Sequence, residues 1–547
     1  MTTNLKLLND DQVRRFVADG FIMLDSGLPG SHHETVTREL AYALAHEPVM
    51  LGDNVVPRVP MLQEVLESPA VKGAMVSLFG EGFVWAPHRF PHNSEPLDES
   101  CEVADPLASQ LPMGKGSIAG SGWHQDGHSR AGRSRWHTFR ACNVFYFPHD
   151  TPKEMGVTRL LAGTHLYANL YDIVAEQVVF QDIPAGTVII ADFDVGHAET
   201  PNNTDITRYM VKFVALRTQN PVAPTWDNTE STWKTPDDLI TPFELPTVWT
   251  IQWNWLRGAP RSEHIDAKEV AALHGLLNNL SDRDQSTRLK SLYDVITIGA
   301  PAVDDLIKTL CETAGMDRHI SPPPTEPGFA AQSRDHLERR FSQRQFVPED
   351  TAIVLAAIGA PAVPYLVELL GHEDPWIRMN AAYALGDAGP EVAGNEADRV
   401  GELLDDPLES VVRVAADALC CLPTFGPQTI ARIHRHLVEA IPEWQIPAMG
   451  EPKVSGNWTF QDQVRYVETW ALLSRVSAEN PPEETEAALI DALGDDTGFV
   501  PAIATEGLKR LGTNAALRAA VEFLQVHRWD TLGQRYAREA AETREAS

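Results

Sequence analysis

Hydrophobic and polar residues follow different patterns in the two halves of this chain. In the first half, short apolar or alternating runs are separated by turn-forming residues, which is typical of β-strands. The strand candidates are 21–24, 83–90, 141–147, 187–192 and 208–214, and the helix candidates are 8–18, 33–49 and 61–79. These elements predict a β-rich domain over residues 1–220, a double-stranded jelly roll with flanking helices.

The second half, from about residue 262, has apolar positions at helical spacing and repeats itself. The sequence IGAPAV occurs at 298–303 and again at 358–363. Copies of a longer pattern, with paired leucines, an Asp-Pro step and an alanine-rich helix, lie at 369–385, 403–419 and, more weakly, 489–508. Such helix pairs resemble HEAT repeats, so residues 262–547 are predicted to form an all-α HEAT-like solenoid.

Two segments between these patterns have two interpretations each. Residues 91–122, rich in proline, serine, glycine and acids, are predicted to be a long loop, either a lid over a substrate or a solvated insertion. Residues 221–261 are a connector rich in proline and tryptophan. Its tryptophans are expected to pack against the β-rich domain, and an aromatic platform for a substrate is the alternative.

Composition narrows the classes of function. The chain has 547 residues and a formal net charge of −31, which argues against nucleic acid as a partner because phosphate binding needs clustered lysine and arginine. Its five cysteines include no C-x-x-C, so neither a zinc site nor a disulfide framework is indicated. With no signal peptide and no apolar run of membrane-spanning length, we expect a cytoplasmic protein without a membrane segment.

The segment GWHQDG at 122–127 carries the candidate chemistry. On an extended strand the side chains of His124 and Asp126 point to the same side, about 6.6 Å apart along the strand. His197, in the turn after the 187–192 strand, would complete a set of two histidines and one carboxylate. Such a facial triad binds Fe(II) and leaves coordination positions open.

The H-x-D pattern is common, and the chain has two further copies at 264–266 and 372–374. Those copies lie in helical, polar surroundings. The first copy is followed by a β-rich segment, then by His197, and then by Arg208 at the start of the next predicted strand. This context selects His124, Asp126 and His197 as the predicted metal ligands and catalytic residues.

The first roughly 220 residues resemble the phytanoyl-CoA dioxygenase family of Fe(II)/2-oxoglutarate oxygenases. The matching segments are the helix-to-strand opening at 8–22, WHQD at 123–126 and the turn GVTRLLAGTH at 156–165. In that turn Ala162 stands where the family usually has proline. His197 and Arg208 fall at the family's spacing for the distal metal ligand and for the arginine that binds 2-oxoglutarate.

The resemblance implies a hydroxylase that uses Fe(II), O2 and 2-oxoglutarate and releases succinate and CO2. It implies that Arg208 grips the far carboxylate of 2-oxoglutarate with its planar fork of donors, and that Gln125 contacts the cosubstrate. Thr200, near His197, is a candidate donor to the cosubstrate, and a turn cap is the alternative. Related halogenases carry a small residue in place of the metal carboxylate, so Asp126 favours hydroxylation or a related oxidation.

The substrate side is less defined. Arg133 and Arg135 follow the metal motif in an otherwise acidic chain and are candidates for binding an anionic group of a small or carrier-linked substrate. A solvated basic loop is the alternative. The HEAT-like region is expected to dock a protein partner or a second copy of the chain, or to wall the mouth of the site. Two other functions stay open: an oxygenase-fold scaffold or sensor without catalysis, and a cupin-like enzyme of another metal.

Overall fold

The computed structural model of the protein describes nine ranges of residues. They are 4–46, 54–97, 123–126, 133–168, 170, 173–282, 284–316, 345–446 and 458–526. Most of the predicted 91–122 loop lies outside them, as do Gly127 and the C-terminal tail.

The strands lie almost entirely in the first half of the chain. They are β1 Phe21–Asp25, β2 Val84–Ser94, β3 Arg133–Ser134, β4 Ala141–Tyr146, β5 Arg159–Leu161, β6 Val178–Val179, β7 Thr187–Asp192, β8 His197–Ala198, β9 Arg208–Leu216 and, in the second half, β10 Gln345–Phe346. Five of them form one antiparallel sheet in the order β1-β7-β4-β9-β2, and three form a smaller antiparallel sheet in the order β6-β5-β8. The first half is therefore antiparallel β structure, as predicted.

Alternate residues of a β-strand point to opposite faces of the sheet. In the larger sheet both sets of residues are apolar, so both faces are apolar. In the register of β4 with β7, Val144 pairs with Ile190 and Phe145 pairs with Ile189. Val144 and Ile190 belong to the main hydrophobic core with the helices. Phe145 and Ile189 belong to a second buried cluster that includes Leu160 of the smaller sheet. The second cluster thus lies between the two sheets.

Among the described residues, four α-helices precede the tryptophan-rich connector. They are α1 Asp10–Asp19, α2 Gly30–His46, α3 Leu62–Glu67 and α4 Pro69–Phe79. The single helix predicted at 61–79 is wrong, because Ser68 caps a new helix that has Pro69 in its first turn. The loop predicted from residue 91 is also wrong at its start, since β2 continues to Ser94 and pairs with β9 up to Arg208.

The tryptophan-rich connector packs into the core, as expected. Its helix α5 spans Pro246–Leu256. The ring of Trp253 lies 5.2 Å from that of Trp226, in an edge-on arrangement, and the guanidinium of Arg14 lies 5.0 Å over it. Rings buried in this way leave little aromatic surface for a substrate.

Helices dominate the rest of the chain. They are α6 Leu273–Asn279, α7 Gln285–Ile298, α8 Val303–Cys311, α9 Asp350–Ile358, α10 Val363–Leu369, α11 Pro375–Ala388, α12 Pro390–Ala393, α13 Ala397–Gly401, α14 Glu409–Cys421, α15 Pro427–Val438, α16 Phe460–Ser477, α17 Glu484–Ala492, α18 Phe499–Leu511 and α19 Asn514–Val526. None of the helices among the described residues combines the length and apolar character that a membrane crossing requires.

Two sequence features of the repeats have a structural role. Asp374 caps α11 by accepting a hydrogen bond from the Trp376 amide at 2.8 Å, with Pro375 in the first turn. A Cβ added to Gly386 of α11 would lie 3.0 Å from Ala418 of α14, so small residues let these helices approach closely. The main core runs without a break from the β-rich half into the helices, and the predicted boundaries at 220 and 262 stay a prediction.

Candidate metal centre

The two predicted ligand segments meet through their backbones. The His124 amide donates to the His197 carbonyl at 3.1 Å, and the His197 amide donates to the His124 carbonyl at 2.9 Å. This antiparallel bridge brings the two imidazoles together, with ring centroids 4.4 Å apart and ring planes inclined at 51°. Asp126, two positions after His124, points to the same side, as the strand geometry predicts.

The three side chains surround a common point. Nε2 of His124 lies 3.7 Å from Oδ1 of Asp126, and Nε2 of His197 lies 3.6 Å from Oδ2. Their candidate ligand atoms all lie within 4.8 Å of one another. These separations are too long for hydrogen bonds and approach those of atoms that share one ion, which are roughly 3–3.5 Å for bonds near 2.1 Å. In the part of the chain that the structure describes, this is the only group of its kind.

His197 is held in the form that a metal ligand needs. Its Nδ1 donates to the Val195 carbonyl at 3.0 Å, which leaves the Nε2 lone pair directed at Asp126. Burial, followed by the neighbouring His124, lowers the pKa of His197 to about 3. The imidazole is therefore neutral near pH 7, and neutral imidazole is the metal-binding form.

Asp126 has two further partners that the sequence had not indicated. Asn143 of β4 donates to Oδ2 at 2.9 Å, and the ammonium of Lys212 in β9 contacts the same oxygen. Burial opposes ionisation of Asp126, but Lys212 and the two imidazoles outweigh it and hold the pKa of the carboxyl well below 3.8. The site therefore contains a carboxylate, as an ionic metal site requires.

Lys212 could have been found from the sequence. It stands four positions after Arg208 on the same strand, so the two side chains share a face of β9. The family resemblance assigns a site role on this strand to Arg208 alone. The alternation of the strand alone predicts a second cation on that face.

Arg208 is almost completely buried, with 1% of its surface exposed. Its Nε donates to the Gly156 carbonyl at 3.0 Å, and its Nη1 donates to the His92 carbonyl at 2.9 Å. Burial lowers the pKa of Arg208 to about 10, so the guanidinium stays charged at neutral pH. The two carbonyls use two of its five donors and fix the orientation of the fork.

The side chain of Gln125 links neighbouring loops by hydrogen bonds. Its Nε2 donates to the carbonyls of Thr164, Tyr167 and Asp194 at 3.2, 3.0 and 3.1 Å. Asp194 lies in the turn before His197, so this amide ties the two ligand segments together. A contact between Gln125 and the cosubstrate stays a prediction.

The other predicted site residues lie as follows. The Thr200 hydroxyl donates to the Val157 carbonyl at 2.8 Å, which engages its proton. The backbone of Arg133 lies in β3, and its side chain is outside the described part of the chain. Arg135 is buried and forms an ion pair with Asp194 at 2.7 Å. Substrate binding by Arg133 and Arg135 stays a prediction.

The two other H-x-D copies have ordinary structural roles. In the first, His264 pairs with Glu263 at 3.0 Å at the protein surface. In the second, Nδ1 of His372 accepts from the Asp374 amide at 3.0 Å, and Asp374 caps α11. These roles agree with the choice of the first copy.

The second half of the chain matches a family model for HEAT repeats over residues 345–420. This match confirms helical repeats in that stretch. Curated proteins of known sequence give no match.

Several solved structures are similar to this chain over about two fifths of its length. The non-heme monooxygenase ThoJ in complex with nickel is 18% identical, covering 42% of this chain and 90% of its own, with a TM-score of 0.28. The non-heme alpha ketoglutarate dependent epimerase SnoN from nogalamycin biosynthesis is 15% identical, covering 38% and 81%, with a TM-score of 0.29. HygX from Streptomyces hygroscopicus, with nickel and 2-oxoglutarate bound, is 12% identical, covering 43% and 95%, with a TM-score of 0.29. TM-scores this low carry no conclusion about the function of the chain.

Proposed function

We propose that the chain is an Fe(II)- and 2-oxoglutarate-dependent dioxygenase that hydroxylates a small or carrier-linked organic substrate. The observation that carries the proposal is the convergence of His124 and His197 on the two oxygens of an ionised Asp126. Two imidazoles and one carboxylate are the donor set of non-haem Fe(II) oxygenases, and they leave positions for a cosubstrate and O2. We assign the two antiparallel sheets to a double-stranded β-helix like that of the phytanoyl-CoA dioxygenase family.

The residues present fit such an ion. Fe(II), when bound, supplies O2 activation coupled to conversion of 2-oxoglutarate to succinate and CO2 and to hydroxylation of the substrate. His124, Asp126 and His197 would hold the ion. The Val195 carbonyl keeps the proton of His197 on Nδ1, away from the ion, and Asn143 orients the carboxylate. Partners of this kind typically change metal affinity or activity by about 10- to 100-fold.

Arg208 is the proposed binding group for the far carboxylate of 2-oxoglutarate. It lies on the face of β9 from which Lys212 reaches Asp126, so its charge belongs to the same side of the sheet as the metal centre. Burial strengthens a contact between this guanidinium and a carboxylate, because water screens it less. The two carbonyls that hold the guanidinium prepare it for a planar, two-pronged contact.

A second candidate function is a scaffold or sensor that acts through the repeats. The match of residues 345–420 to HEAT repeats favours it, since stacked helix pairs present extended surfaces to partners. A protein partner or a second copy of the chain would then bind the helical half. This function alone would not require a carboxylate and two imidazoles grouped around one point.

Succinate release from 2-oxoglutarate tests the two functions. Purified full-length protein with Fe(II) and ascorbate should release succinate slowly even without substrate. Asp126→Ala and His197→Ala should abolish the release, because each removes a metal ligand. Asp266→Ala, which removes the exposed carboxylate of another H-x-D copy, should leave it unchanged. Equal turnover by wild type and Asp126→Ala would refute the proposed dioxygenase function. A wild-type protein that neither releases succinate nor binds metal would favour the scaffold function.

A further inference from the structure

A short parallel strand pair joins the two halves of the chain beside the metal centre. β3, at Arg133–Ser134, pairs with β10, at Gln345–Phe346. The Arg135 amide then donates to the Phe346 carbonyl at 2.9 Å. β10 stands where the match to HEAT repeats begins, so the repeat region fixes the backbone of Arg135.

The side chain of Arg135 reaches from this strand pair to the loop of a metal ligand. Its Nη1 donates to Oδ1 of Asp194 at 2.7 Å, and its Nη2 donates to the side-chain oxygen of Gln345. The exposed fractions of the Arg135 and Asp194 side chains are 8% and 10%. A buried ion pair of this kind is costly to break on one side, because the remaining charge is left in an apolar setting.

Asp194 is directly connected to His197 through the loop at 192–197. The Asp194 amide donates to the side chain of Asp192 at 3.0 Å, and its carbonyl accepts from Gln125 at 3.1 Å. The next carbonyl, that of Val195, accepts from Nδ1 of His197. The Asp194 carboxylate and the carbonyl that orients the imidazole therefore belong to adjacent residues of one loop.

Two further contacts hold the same segment against the repeats. The Ser134 amide donates to Oδ2 of Asp417 at 3.0 Å, and the Thr138 hydroxyl donates to Oδ1 of Asp387 at 3.0 Å. Asp387 and Asp417 belong to α11 and α14, the helices of two repeats. Residues 134–138 are thus anchored in the helical half.

We propose that Arg135 is a positioning residue that holds the His197 loop in place, and that the start of the repeat region, at Gln345–Phe346, holds Arg135. The repeats are then part of the scaffold of the metal centre rather than a separable docking module. The effect on metal binding rests on the proposed function, whereas the effect on the loop does not.

The test compares full-length, metal-free variants by amide hydrogen exchange of residues 193–197, whose opening the exchange rate measures. Arg135→Met should raise the exchange rate of these amides at least about tenfold, because their loop loses its buried cation. Gln345→Leu removes only the hydrogen bond between Arg135 and the repeat region, so it should raise the exchange rate less than Arg135→Met does. Arg135→Lys keeps the charge and should restore part of the protection. Arg378→Met is the matched control, because Arg378 pairs with Asp406 at 2.8 Å within the same repeat region and forms no hydrogen bond to residues 134–138 or to this loop in the described structure.

Cobalt binding extends the test to the ion. Co(II) should bind Arg135→Met about tenfold more weakly than it binds wild type and Arg378→Met, with an altered absorption spectrum. Unchanged exchange of residues 193–197 in Arg135→Met, or equal changes in Arg378→Met, would overturn the proposal. If Arg135→Met fails to fold, the exchange of Arg135→Lys decides in the same way. Altered exchange together with no cobalt binding by wild type would retain the positioning role and refute the metal function.

Discussion

Lys212 and Asp126 form an ion pair at the centre of the triad, on the same carboxylate oxygen that faces His197. The side chains of Lys212 and Asp126 are 11% and 15% exposed, so water screens the pair only in part. The ammonium therefore occupies the side of Asp126 toward which a metal ion would bind. A cation already present at a metal ligand opposes the binding of a second one.

We expect Lys212→Met to bind Co(II) roughly tenfold more tightly than wild type, because the competing charge at Asp126 is removed. Calorimetric titration of metal-free protein measures the change. Lys72→Met, which removes a lysine from an exposed pair with Glu67, should bind as wild type does. Weaker binding by Lys212→Met would mean that the lysine supports the ion instead of competing with it.

Gln125→Leu should lower the free energy of unfolding by about 1–3 kcal/mol, since the bonds of its amide to three backbone carbonyls are lost and the Thr164 carbonyl keeps only the Tyr167 amide among the described residues. Urea unfolding of the metal-free chain measures this effect. A role limited to the cosubstrate predicts a different outcome, unchanged stability with weaker 2-oxoglutarate binding.

Arg208→Lys should raise the concentration of 2-oxoglutarate required for half-maximal turnover by about tenfold or more, because a point charge replaces a planar fork. Co(II) affinity should stay within about twofold, since Arg208 contacts none of the three proposed ligands in the described structure and is held by the carbonyls of Gly156 and His92. A large loss of cobalt binding would show that the substitution disturbs the fold of β9 instead.

Stability should fall on acidification because of His137, at the junction of the two halves. Burial, followed by the charge of Arg288, lowers the pKa of His137 to about 4. Its unfolded pKa is near 6.5, so below that pH the unfolded chain takes up a proton that the folded chain does not, and stability is lost progressively as the pH falls toward 4. His137→Asn should reduce the difference in unfolding free energy between pH 7 and pH 5 by about 2 kcal/mol. Urea unfolding at both pH values checks this. An unchanged difference would mean that His137 does not titrate in this range.

Local patterns in the sequence predicted the grouping of the ligands. A two-residue spacing on extended backbone places His124 and Asp126 on one side, and a strand followed by a turn leads to His197. The break at Ser68 and Pro69 was also readable, since serine followed by proline commonly begins a helix.

Contacts between distant segments could not be predicted in this way. Arg135 is one of several arginines after the metal motif, and nothing in its surroundings indicates Asp194 as its partner. That pairing depends on the register of β3 with β10, which is set where the two halves pack. The sequence shows the charge of Arg135 but not its burial, and substrate binding by Arg135 stays a prediction.

The bond between Arg135 and Gln345 spans 210 positions of the chain. Contacts of such long sequence separation form late, because the intervening chain must first be ordered. During synthesis the N-terminal half leaves the ribosome before residue 345 exists, with the His197 loop lacking its anchor. Under the proposed function, we therefore expect metal binding to await translation of the repeats, so that chains terminated before residue 345 bind the ion weakly.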